Sequence, residues 1–132
     1  MPASGSKYLL DTNIIIALLE GDEGVMRNLD QVGEVFIPAI VAGELFFGAA
    51  KSSRPVENVA KVERFAAGRV LLACDLGVAR EYGRIKQQLR VKGRPLPEND
   101  IWIAAIATHH MLALVTRDRH FREIDDLILE AW

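Results

Sequence analysis

The sequence contains one cysteine, Cys74, among its 132 residues, so an internal disulfide is excluded and the chain fits a reducing compartment. Cys74 is expected in the core. Long hydrophobic runs are missing too: nothing approaches the roughly 20 apolar residues of a membrane-spanning helix. Residues 1–6 carry neither the charge nor the apolar stretch of a signal peptide. A cytoplasmic protein is therefore expected, with residues 2–6 read as a flexible lead or a cloning remnant. Positive charge is not in excess either. The formal net charge of -2 argues against a chain that holds nucleic acid through a uniformly basic surface. Two divalent cations on its acids would reverse the sign that a phosphate meets.

Further absences narrow the chemistry. No Gly-x-Gly-x-x-Gly stretch occurs, and the run from Gly43 to Ser52 places Lys51 two residues too late for a phosphate loop and within a helical pattern. No side-chain nucleophile stands out: Ser52 and Ser53 lack a nearby histidine, and Cys74 sits at the wrong end of a strand without a base. Tight hairpin signals, internal repeats, low-complexity tracts and linkers are all lacking. Residues 1–132 are therefore read as a single domain, long enough to bury one core without disulfides or structural metal.

What is present alternates. Residues 7–11 read as a short buried strand, with Thr12 and Asn13 as N-terminal caps of a helix through Leu19 that is apolar all round and so packed on most sides. Gly21 breaks it, and Val25, Met26, Leu29 and Val32 space an amphipathic helix. A strand at 34–38 leads to a helix running to about Ala50, with Pro38 in its first turn. A fourth helix carries Val56, Val59, Ala60 and Phe65 and ends at Gly68, before a strand at 70–73. Asp75 caps a helix on Val78, Ala79, Tyr82, Ile85 and Leu89 that stops near Gly93. A basic, proline-punctuated loop at 92–97 precedes an apolar helix from Glu98 to about His110, a strand at 113–116, an exit loop at 117–121 and a fifth strand at 127–129. Short strands alternating with helices predict an α/β fold, a three-layer α/β/α sandwich with a short, mainly parallel central sheet. Such sheets bind ligands at the carboxyl ends of their strands, where strand order reverses.

Four acids resist a bland explanation. Asp11 ends an apolar run and passes directly into another. Glu44 has Ile40, Val41, Phe47 and Gly48 as its helical neighbours, none of them basic, and a carboxylate there costs several kcal/mol unless neutralised, hydrogen-bonded or metal-bound. Asp100 sits among Leu96, Pro97, Ile103 and Ala104, and Asp118 follows a strand end. Each has a structural alternative when taken alone. Asp11 and Asp100 could serve as acids at helix N-termini, although Glu98 and Asn99 suit that role in the second helix, and Asp118 could cap the next turn or pair with Arg117 or Arg119. Together, acids at buried edges point to a hard divalent cation, Mg²⁺ or Mn²⁺, and to metal-assisted phosphodiester hydrolysis. Adjacent His109 and His110 point in different directions and complement a helix C-terminus; His120 stands alone in its loop and is not counted as a ligand.

With those residues in place, the chain resembles the PIN-domain ribonucleases, and among them the VapC toxins of toxin–antitoxin pairs. The likeness runs through Leu10-Asp11-Thr12-Asn13, Ala42-Gly43-Glu44-Leu45, the segment Glu98-Asn99-Asp100-Ile101-Trp102-Ile103-Ala104-Ala105, and Thr116-Arg117-Asp118-Arg119-His120-Phe121. The resemblance implies that Asp11, Glu44, Asp100 and Asp118 are catalytic and metal-binding, that Asn13 orients a carboxylate, and that Thr116 contacts metal-bound water or phosphate. It also implies an RNA substrate, a homodimer, and a small antitoxin that reaches into the acidic pocket. Lys92, Arg94, Arg117 and Arg119 are candidates for holding backbone phosphates; Trp102, Phe46 and Phe47 are assigned to core packing. Two other readings stay open: a catalytically silent PIN-like module that binds RNA or protein, and a phosphohydrolase or phospho-receiver built on one strand-end aspartate. The second would need another acid beside Asp11, where Thr12 and Asn13 stand.

Overall fold

The structure is a computed structural model, and it describes residues 7–132; the reading of residues 2–6 lies outside that range. Five short strands form one sheet: β1 (Lys7–Leu10), β2 (Glu34–Pro38), β3 (Val70–Leu72), β4 (Ala113–Val115) and β5 (Leu129–Glu130). Among the described residues six α-helices connect them: α1 (Thr12–Leu19), α2 (Glu23–Gln31), α3 (Ala39–Ala50), α4 (Pro55–Ala66), α5 (Leu76–Lys92) and α6 (Glu98–His110). A 3-10 turn spans Arg119–Glu123.

Every strand pair is parallel, in the order β3-β2-β1-β4-β5. The chain steps outward from β1 to β3, then crosses back through α5 and α6 to lay β4 against the other side of β1. Strand order therefore reverses between β1 and β4, whose ends are in register with Leu10 opposite Val115. Tyr8, Leu9 and Leu10 are all fully buried. Successive strand residues face opposite sides, so both faces of the sheet are covered, as the α/β/α expectation requires. Ile103 through Ala107 on α6 and Leu114 and Val115 on β4 continue the core, and α6 also packs on α3 and α5.

Several details differ from the expectations above. Asp11, not Thr12 or Asn13, is the N-cap of α1, and its Oδ1 accepts the Thr12 N–H at 2.8 Å. Helix α1 is not enclosed, because Ile16 is 43% and Leu19 36% exposed. Cys74 is exposed, not in the core, since β3 is an edge strand and the link to α5 runs outside it. Phe47 is exposed, with Lys51 over its ring, while Phe46 is half-buried against the core. The last strand is shifted to Leu129–Glu130. Among the described residues no helix is long and apolar enough to cross a membrane.

Candidate active site

The reversal between β1 and β4 places two polar groups side by side at the carboxyl ends of the strands. Asp11 follows β1 and Thr116 follows β4, and both are buried, 5% and 6% exposed, in an otherwise apolar core. The Asp11 N–H donates to the Val115 carbonyl at 3.0 Å, extending the ladder by one bond. A carboxylate in that position must be hydrogen-bonded, and it is. The Thr116 hydroxyl donates to Asp11 Oδ2 at 2.8 Å, and Asn13 Nδ2 reaches the same oxygen at 3.3 Å. Asn13 also donates to Thr116 Oγ1 at 3.3 Å, and its Oδ1 accepts the Arg117 N–H at 3.1 Å.

Thr116 also positions the next acid. Its Oγ1 accepts the Asp118 N–H at 3.0 Å, turning the chain back over the sheet edge. Asp118 Oδ1 then accepts the His120 N–H at 2.9 Å and lies 3.0 Å from His120 Nδ1. Asp118 thus caps the 3-10 turn, as the structural alternative foresaw, and still presents a carboxylate to its neighbours. Asp100 enters from the first turn of α6, whose N-cap is Pro97 and makes no side-chain capping bond. The residues expected to cap that helix do other things: Glu98 accepts from Lys86 at 2.6 Å and from the Tyr82 hydroxyl, while the Asn99 side chain bears on Glu44. Glu44 is half-buried on α3.

The electrostatics tie the four acids together. Burial is the main force raising the Asp11 carboxyl above its ordinary value, and Asp118 adds to it; the bonds from Thr116, Thr12 and Asn13 pull the other way. Burial and then the charge of Asp11 raise Glu44, against weaker help from Thr12 and Asn99. Asp100 is pushed up to about 6, by burial first and then by Asp11, Asp118 and Glu44 in turn, with His120 opposing. The Thr12 hydroxyl stays short of a formed hydrogen bond: its oxygen is buried without a partner on the side of Glu44.

This arrangement fits a divalent cation. The donors are carboxylate oxygens, hard ligands suited to Mg²⁺ or Mn²⁺, and their mutual repulsion is what a bound cation relieves. Ligand atoms of Asp100, Asp118 and His120 lie within 4.8 Å of one another. His120, which stood alone in its loop by sequence and was not counted as a ligand, lies in this group. Its signal was an Asp-x-His spacing inside a tight turn, which brings a ring nitrogen back onto the carboxylate two residues earlier.

The four basic candidates separate. Lys92 donates to Asp125 Oδ1 at 2.6 Å and to the Glu123 carbonyl at 2.8 Å, and Arg94 lies 3.9 Å from Glu123. Arg117 is held by Asp22 and by the Trp132 carbonyl, each at 2.9 Å. Arg119 is exposed and carries no hydrogen bond or ion pair among the described residues.

The PIN-domain profile matches residues 8–127, which includes all four acids. The chain belongs to the PIN-domain family. Within that family it is 36% identical over 129 residues to Ribonuclease VapC2 of Haemophilus influenzae, a match covering 96% of this chain and 98% of the relative. It is 35% identical to the tRNA(fMet)-specific endonuclease VapC of Shigella flexneri, with the same coverage. Solved structures share the PIN fold. VapBC2 of Rickettsia felis, bound to a DNA fragment from its promoter, superposes with a TM-score of 0.89 at 29% identity, covering 96% of this chain and 98% of that one. VapBC-5 of Mycobacterium tuberculosis, a member of the VapBC family of toxin–antitoxin systems, gives 0.75 at 29% identity and covers 98% of both.

Proposed function

We propose that this PIN domain is a Mg²⁺-dependent endoribonuclease, able to use Mn²⁺, that acts in the cytoplasm as the toxin of a toxin–antitoxin pair. One observation carries the reading: Asp100 and Asp118 bring ligand atoms within 4.8 Å of one another beside His120, and Asp11 and Glu44, from two other segments, lie near enough for their charges to help raise Asp100 to about 6. When bound, a divalent cation supplies Lewis acidity toward a phosphodiester and toward water. The chain's own part is to hold and orient. Asp11, Glu44, Asp100 and Asp118 are the ligands of the ion; Thr116, bonded to Asp11 and to the Asp118 backbone, keeps those two acids in register; Asn13 steadies Asp11 and the start of the Arg117 loop. Each bond donated to the Asp11 carboxylate favours its ionised form against the burial around it.

The names of the curated relatives support RNA as substrate, and the solved VapBC complexes support a small antitoxin as partner. A groove of about 340 Å³ supports the same partner, since it runs past the exposed Ile16 and Leu19 of α1 to Glu44. A homodimer completes the reading. Val56, 86% exposed, stands on α4 beside Val59 and Ala60 over an apolar depression, and a monomeric mass in solution would remove this last element.

The test is cleavage of RNA by the purified chain. It should require Mg²⁺ or Mn²⁺ and stop with chelator. Asp11→Asn and Asp118→Asn should each lose at least about a hundredfold, the upper end of what disturbing a ligand's support alone does, while circular dichroism reports an unchanged fold. Retained cleavage in both variants, or in chelator, overturns the mechanism. Sequencing RNA ends after brief induction of wild type against Asp11→Asn identifies the target.

A further inference from the structure

The cleft beside the acids is walled by arginine. A cavity of about 490 Å³ opens next to Thr116 and Asp118, and Arg117, Arg119 and Arg122 line it. Arg117 is already engaged by Asp22 and the Trp132 carbonyl. Arg119 and Arg122 are exposed, and among the described residues neither makes a hydrogen bond or an ion pair. Both stand on the 3-10 turn Arg119–Glu123, three residues apart. In a 3-10 helix the side chains at i and i+3 eclipse, so the two guanidiniums leave one side of the turn into the same space. Phe121 between them is fully buried and fixes the turn to the core.

Asp118 and Glu130 also line this cavity, but among the described residues no carboxylate forms an ion pair with Arg119 or Arg122. Glu123 lies toward Arg94 at 3.9 Å, Asp118 is bonded to His120, and Glu130 across the cleft accepts from Trp132 Nε1 at 3.4 Å. Two guanidiniums that open into one cavity without ion-pair partners repel each other, and an anion seated between them relieves that repulsion. A guanidinium is a planar fork matched to phosphate oxygens, which it binds with two parallel hydrogen bonds.

We propose that Arg119 and Arg122 form a phosphate subsite that grips the backbone of the RNA strand next to the bond presented to the four acids. The identity of the strand rests on the endoribonuclease reading. Phosphate contacts position a strand without reading its bases, so this subsite sets affinity and register but not sequence preference. Because Asp118 caps the turn that carries both arginines, the grip is continuous in backbone with one of the four acids.

The experiment separates binding from cutting. A fluorescein-labelled single-stranded oligoribonucleotide is titrated in Mg²⁺ against Asp11→Asn protein, with and without Arg119→Ala and Arg122→Ala. A charge-matched control replaces the exposed Arg64 and Arg80, which lie outside the cleft. The double variant in the cleft should bind at least about tenfold more weakly, and its salt slope should fall by about 0.7 for each phosphate of the single strand that the protein no longer neutralises. The control should match the parent in both. Lysine at both positions should restore the slope but only part of the affinity, because the charge returns without the fork. Equal binding by cleft variant and parent overturns the subsite, as does an equal loss in the control. Unchanged RNA binding with weakened assembly onto a co-purified antitoxin also overturns it, assigning the arginines to a protein partner. Cleavage by the chain with Asp11 intact is followed in parallel, so a subsite that binds RNA beside acids that do not cut would retain this inference and remove the nuclease reading.

Discussion

Asp100 shows how much of this site is decided by single charges. Its carboxyl is raised to about 6, by burial first and then by three neighbouring acids, so the folded protein holds that proton more tightly than the unfolded chain does. For an acid raised in this way the contribution to stability is fully present below pH about 4 and is lost as pH climbs through about 6. A divalent cation held by these acids would take the place of the proton. In chelator, the melting temperature of the wild type should therefore fall relative to Asp100→Asn between pH 4 and 7, and Mg²⁺ should close the gap above pH 6. Parallel curves for the two proteins would mean that Asp100 does not feel its neighbours. Asp11 and Glu44 stood out in the sequence because no cation lies near them, whereas Asp118, flanked by Arg117 and Arg119, stood out only by its place at a strand end. The roles of Lys92 and Arg94 were not legible, because their partners Asp125 and Glu123 lie about thirty residues away. The contact of His120 with Asp118 was hidden for a different reason: it depends on a 3-10 turn, and a turn that short leaves no periodicity to read.

Elements were read well where a cap or a stripe marks them. Asp75 caps α5 through the Val78 N–H at 3.0 Å, and His109 and His110 close α6 as expected. What no spacing could show is how those two helix ends meet. The ring of His109 lies over Gly77 in the first turn of α5, so closely that a Cβ at position 77 would collide with the imidazole. Gly77 is therefore a packing residue, where the absence of a side chain lets α5 and α6 approach. Gly77→Ala gains helix propensity but must turn the exposed His109 ring aside, and the net effect should be a loss of no more than about 1 kcal/mol in urea unfolding. His109→Ala should recover most of that loss in the double variant, since the two residues share one space. Additive effects would place the strain elsewhere. The edge strands β3 and β5 show the converse limit. They are three and two residues long, and pairing, not pattern, decides where they begin.

At the scale of the whole molecule, the alternation of strands and helices announced a parallel sheet, but the order of its strands was invisible, and the order makes the site. Only because β4 lies against β1, with Leu10 opposite Val115, do Asp11 and Thr116 touch across more than a hundred residues. The same arrangement leaves one side of α1 uncovered. Ile16 and Leu19 are exposed on consecutive turns, and with Leu45 and Val62 they line a groove that ends at Glu44. An apolar groove leading directly to an acidic site suits a partner segment with hydrophobic anchors followed by a basic residue. That occupant would block substrate and neutralise the acids at once, as an antitoxin must. Replacing Leu19 with Glu sets a charge in the groove without touching the carboxylates. The variant should need at least tenfold more antitoxin, about 1.4 kcal/mol of binding, to reach half-inhibition of its own uninhibited RNA cleavage. A titration that superposes on that of the wild type would show that inhibition does not pass through this groove.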